Sequence, residues 1–156
     1  MVRARLTIGR AHRTPVLAGW LAALAVLTSC SGGGITETVS TAVEDSSSAV
    51  ATARLALAQE SAGKLTSAAT ATTLNDALRE LQASRGTVLN LSPATQQDRD
   101  IQQEALKVLD RCAAGFTTAR AAVSTNDGGP SLSDGDHALA DAEDALDDLK
   151  TKVGEK

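Results

Sequence analysis

Residues 92–124 read SPATQQDRDIQQEALKVLDRCAAGFTTARAAVS, and their spacing decides the fold class. Ile101, Ala105, Val108, Cys112, Phe116 and Val123 recur three and four residues apart, the period of one helix face, while charged and amide side chains fill the positions between. Ser92 is a good N-cap residue and Pro93 suits the first helical position, where a missing N–H is harmless; Asp98 and Asp100 follow early. The reading is a helix over 93–124. Glu104 and Lys107 stand at i,i+3 spacing and would pair along its surface.

Three further segments share that period. Upstream, Val39, Val43, Val50, Ala53 and Leu57 define a helix over 36–62, whose stripe is interrupted by Ser46, Ser47 and Ser48 and which Gly63 ends. Thr41 and Glu44 have capping-box spacing and would mark a later start. A second helix, 67–89, turns Leu74, Ala77, Leu78, Leu81 and Val88 inward; Thr73 and Asp76 offer a cap within it, Gly86 weakens it, and Asn90 can close it in a left-handed conformation. Downstream, NDGGP at 126–130 forbids helix continuation, and Leu139, Ala142, Leu146, Leu149 and Val153 then carry a fourth helix over 133–152, starting between Ser131 and Asp136. Lys150 and Lys152 in its last turns suit the helix dipole. Four amphipathic helices with short connections predict an all-α, antiparallel up-down four-helix bundle over 36–156. Alanine is frequent at the seam, so the helices can approach closely but bury little area per residue.

The chain ahead of the bundle has a different composition. Arg3, Arg5, Arg10 and Arg13 precede an uncharged apolar run, VLAGWLAALAVL at 16–27. Twelve residues of helix extend about 18 Å, short of a hydrocarbon core of about 30 Å, which fits an export signal better than a membrane span. The run ends in Leu27, Thr28, Ser29 and Cys30. These four residues resemble the lipobox of bacterial lipoproteins. That resemblance implies a type II signal peptide over 1–29, recognition of Leu27, Thr28 and Ser29 by the signal peptidase, and lipidation of Cys30, which becomes the new N-terminus. It further implies a diacylglyceryl thioether, often with another acyl chain, and hence a partner in membrane lipid. Two or three chains give stable anchoring where one does not. The expected location is the extracytoplasmic side of a cell membrane. Residues 30–35 would form a lipidated cysteine and short tether.

Removing the export signal takes four of the fifteen basic residues and none of the nineteen acids, so eleven bases face nineteen acids in the mature chain, a balance of −8. Trp20 is lost with it and Phe116 remains the one aromatic. Such a surface disfavours nucleic acid, which calls for clustered Lys and Arg and for stacking platforms. With Cys30 lipidated, Cys112 has no disulfide partner; its apolar spacing reads as a buried small hydrophobe, with a reactive or dimer-forming thiol as the alternative.

Sequence chemistry offers little for catalysis. Asp134, Asp136, Asp141, Glu143, Asp144, Asp147 and Asp148 do not follow the D-x-D-x-D-G spacing of a calcium loop and read as a solvated acidic face. His137, the only histidine after processing, has no second His or Cys nearby and reads as an exposed residue near a helix start. No G-x-S-x-G and no phosphate-cradling loop occur. No catalytic, cofactor or metal residue is therefore assigned. The expectation is a non-catalytic interaction module that binds an envelope protein through a helix face. The alternative is a binder or carrier of a small apolar ligand within the bundle, in a groove left by facing Ala and Thr side chains.

Overall fold

The computed structural model of the chain describes residues 34–124 and 128–154. They form an all-α four-helix bundle: α1 (Ile35–Ser61), α2 (Ser67–Leu89), α3 (Gln96–Ser124) and α4 (Leu132–Gly154). Each helix packs on the next, and α4 returns to α1; α1 and α3 also approach across the diagonal, whereas α2 and α4 do not. Cross-helix bonds fix the directions. Lys152 Nζ, near the end of α4, lies 3.3 Å from Glu104 Oε1 near the start of α3, and Lys150 reaches Glu44 of α1 at 3.8 Å. Arg54, late in α1, pairs with Asp136 and Glu143 in the first half of α4. Neighbouring helices are thus antiparallel, in up-down order.

The seam follows the apolar period. Phe116, Leu57, Leu74, Leu81, Leu109, Leu139 and Leu146 are the largest fully buried side chains, and alanines and valines fill the space between them. Ser46 does not interrupt the α1 stripe. It is fully buried, and its hydroxyl donates to the carbonyl of Ala42 at 2.7 Å, so its polarity is satisfied within its own helix. On α3 the inward face passes through Ala119 and Ala122, leaving Val123 only partly buried.

Helix starts differ from the sequence expectation in physically instructive ways. The third helix begins at Gln96, and Ser92 and Pro93 lie outside it. Thr95 and Asp98 form a reciprocal box: Asp98 N donates to Thr95 Oγ1 at 3.1 Å, while Thr95 N and Oγ1 donate to Asp98 Oδ2 at 3.2 and 2.7 Å. That pair satisfies end groups reciprocally where Ser92 with Pro93 would satisfy fewer. Gln102 ties the preceding chain to α3, its Nε2 donating to the carbonyls of Val88 and Leu91 at 2.9 and 3.1 Å. Neither internal capping pair forms. Thr41 and Thr73 donate instead to the carbonyls of Glu37 and Ala69, one turn back in uninterrupted helices, and Thr66 caps α2 by accepting from Ala69 N at 3.3 Å. Glu104 turns to Lys152 rather than Lys107, linking two helices. Gly63 ends the first hairpin's helix at φ +68°, as its lack of a Cβ allows. Asn90 caps α2 in a right-handed conformation, its side-chain amide donating to Gly86 O at 2.9 Å.

Two glycines bring α3 and α4 close together. A Cβ on Gly115 would stand 2.8 Å from the carbonyl oxygen of Ala138, and one on Gly135 would stand 3.0 Å from Cα of Ala119. Both glycines are buried. They admit backbone where any other residue would place a side chain.

Candidate functional site

Leu27, Thr28, Ser29 and Cys30 lie outside the described residues, as do Ser31, Gly32 and Gly33 of the tether and Asn126 and Asp127 of the breaker loop. No helix among the described residues is long and apolar enough to cross a membrane. The question of chemistry therefore falls on the bundle surface.

The acidic residues of α4 divide by role. Asp134 works locally: its carboxylate accepts from Ser131 N and Ser131 Oγ, both at 2.8 Å, in a capping box that opens α4. The backbone hydrogen bond from Ser131, then that from its hydroxyl, holds the Asp134 carboxyl below the usual range. Asp136 and Glu143 clamp Arg54 across the α1–α4 interface. Hydrogen bonds to Asp136 first and Glu143 second raise the guanidinium above its ordinary value, which keeps it charged throughout. His137 is exposed. Among the described residues no group of three or more His, Cys, Asp or Glu side chains is placed to hold a metal ion.

Asp141, Asp144 and Asp148 do something else. They are exposed at one-turn intervals along α4 and line a cleft of about 550 Å³ between α3 and α4. Its floor is made of Ala114, Gly115, Ala138 and Ala145, and Arg111 and Thr118 stand on the α3 side. Small side chains are there because the two backbones meet at Gly115 and Gly135. The cleft continues toward the far end of α4, past Lys107 and Glu104, into a more apolar hollow of about 330 Å³ beside Ile101, Leu149 and Val153. It is an open groove with an acidic rim, not an enclosed cavity.

Cys112 is fully buried, and its Sγ lies 3.8 Å from the carbonyl of Ala142. Loss of solvent pushes the thiol up to about 12, so it stays protonated at neutral pH. The buried-hydrophobe reading holds.

The sequence predicts a groove between facing Ala and Thr side chains but does not place it between α3 and α4, although a signal for that place was present. Gly115 and Gly135 sit inside helical periods where glycine costs stability, and each has alanine neighbours at helical spacing. Comparison with known protein families, curated proteins and solved structures finds no match to this chain.

Proposed function

We propose that the chain is a lipoprotein of a bacterial cell membrane, anchored on the extracytoplasmic side through lipid on Cys30, whose helical bundle is a non-catalytic interaction module. The groove between α3 and α4 is the face it offers to an envelope protein. The observation that carries this reading is the row of Asp141, Asp144 and Asp148 along an open cleft floored by small residues. None of the three is tied to another helix by the ion pairs that join α4 to α1 and α3. Three acids face one base, Arg111, in the cleft, and a helix or extended segment bearing Lys or Arg would meet both the acidic rim and the small-residue floor. Anchoring is supported by Leu27, Thr28, Ser29 and Cys30 after their apolar run, and by Arg3, Arg5, Arg10 and Arg13 ahead of it.

Two experiments separate the halves of the proposal. The mass of the N-terminal peptide from membrane-purified protein should show a diacylglyceryl group on Cys30, and Cys30→Ala should accumulate at precursor length. An unmodified Cys30 refutes the anchoring. Crosslinked capture from intact envelopes should then give a partner whose contact site is rich in Lys or Arg. That partner should be lost with Asp141→Asn, Asp144→Asn and Asp148→Asn combined and weakened by salt. Retention of the partner by the triple variant refutes the groove. A stoichiometric lipid or other small molecule, with no protein partner, would instead favour a carrier with its site inside the bundle.

A further inference from the structure

The two large hydrophobic side chains most exposed on the bundle are Leu55, at 60%, and Leu89, at 54%. They sit at different heights. Leu89 is the last residue of α2, and α2 ends beside the beginning of α1: Ser84 and Thr87 line a common cleft with Thr41, Ala42 and Asp45. Leu55 lies twenty residues along α1, about 30 Å from its start at the helical rise.

The chain beyond Leu89 is as telling. Between Arg85 and Asp98 the sequence is GTVLNLSPATQQ, with no Asp, Glu, Lys or Arg. Leu91 and Pro93 are part-exposed within it, and Ser92, Ala94 and Thr95 are exposed. This connection lies at the end of the bundle where α1 begins. Lys150 and Lys152, at the same end, are held by Glu44 and Glu104.

From Ile35 back to Cys30 there are four residues, Ser31, Gly32, Gly33 and Gly34, which reach about 13 Å when fully extended. Lipid on Cys30 therefore keeps the start of α1 near the bilayer. At so short a tether the surface beside α1's start is at high effective concentration against the lipid, and a weak contact suffices. A net-negative bundle gains nothing from anionic headgroups, so its contact falls on uncharged surface.

We infer that the bundle stands end-on to the membrane, with the α2–α3 connection against the lipid surface and Leu89 entering the interfacial region. This rests on the reading that Cys30 carries lipid. It leaves the α3–α4 groove running away from the membrane, open to a partner along its length.

Full-length protein matured in cells is reconstituted into phosphatidylcholine vesicles after Leu89→Cys or Leu55→Cys and labelling with nitrobenzoxadiazole. Both positions are exposed, so neither change disturbs the core. Cys112 is buried and Cys30 is blocked by its thioether, so each chain takes one label. The probe at position 89 should shift to the blue and lose intensity to spin-labelled lipid headgroups, while the probe at 55 reports water. Water at both positions, or equal quenching at both, overturns the end-on contact. A second label per chain, or protein that washes off the vesicles, overturns the lipidation on which the inference stands.

Discussion

Two glycines inside helices should respond to the same substitution with opposite signs. Gly86 of α2 and Gly115 of α3 both occupy helix interiors, where alanine is favoured over glycine by about 1 kcal/mol. At Gly86 an added Cβ meets nothing within 4 Å. Gly86→Ala should therefore realise most of that preference and stabilise by about 0.5–1 kcal/mol. At Gly115 the added carbon would stand 2.8 Å from Ala138 O and 3.3 Å from Ala138 C, with Leu139 Cδ2 at 3.6 Å. The obstructing atoms are backbone, so no rotamer change relieves the contact and α4 must move away from α3. Overpacking of this kind costs about 1–3 kcal/mol, which offsets or exceeds the propensity gain. The net expectation is a loss of up to about 2 kcal/mol, or up to about 10 °C in melting temperature for a domain of this size. Thermal and urea unfolding followed by far-ultraviolet circular dichroism would measure both, with an unchanged urea slope as the sign that only stability has moved. If Gly115→Ala melts above the parent temperature, the close α3–α4 approach is wrong, and the shape of the groove with it.

Leu146 is fully buried in the α4 stripe, so Leu146→Ala should destabilise by about 2–5 kcal/mol; an unchanged melt would contradict the face assignment. A thiol reagent at pH 8 should leave Cys112 of the native protein unlabelled and react fully in denaturant. Because burial raises that thiol to about 12, its contribution to stability is complete below the unfolded value and falls as pH rises toward 12. Cys112→Ala should flatten that alkaline loss, as read from melts between pH 8 and 11. At the other limb, the lowered carboxyl of Asp134 stabilises the fold above its unfolded value and loses that effect as pH falls through its folded value. Ser131→Ala should therefore lower the melting temperature at neutral pH by more than it does under acid conditions. A difference that stays constant with falling pH would separate Asp134 from the cap.

The bundle was legible because its information is periodic. Val39, Val43, Val50, Ala53 and Leu57 are all buried, as are Leu139, Ala142, Leu146, Leu149 and Val153. A repeat of that kind survives local ambiguity, since each position reinforces the others. Helix starts were harder to read because several polar residues competed for each. Ser92 and Thr95 are both acceptable caps, and the choice fell to Asp98, whose carboxylate reaches Thr95 and not Ser92. Ion pairs were harder still. Arg54 meets Asp136 and Glu143 only because α1 lies antiparallel to α4, and nothing local to any of the three residues announces it.

The place of the groove was hard to read for a further reason, which also bears on how its proposed role is tested. Its floor is built from residues that hold α3 against α4: Gly115 both lines the cleft and admits the carbonyl of Ala138. Packing and the proposed recognition are thus shared in the floor, and a floor substitution that abolished binding would also weaken the bundle. In the rim they separate. Asp141, Asp144 and Asp148 are exposed and stand apart from the bridges of Arg54, Lys150 and Lys152 that tie α4 to its neighbours. Replacing them with asparagine removes repulsion along one helix face and, with opposite sign, attraction to Arg111 across the cleft; both effects are exposed and small, so stability should change little. A binding defect in folded rim variants therefore reports recognition, which no floor variant can do alone.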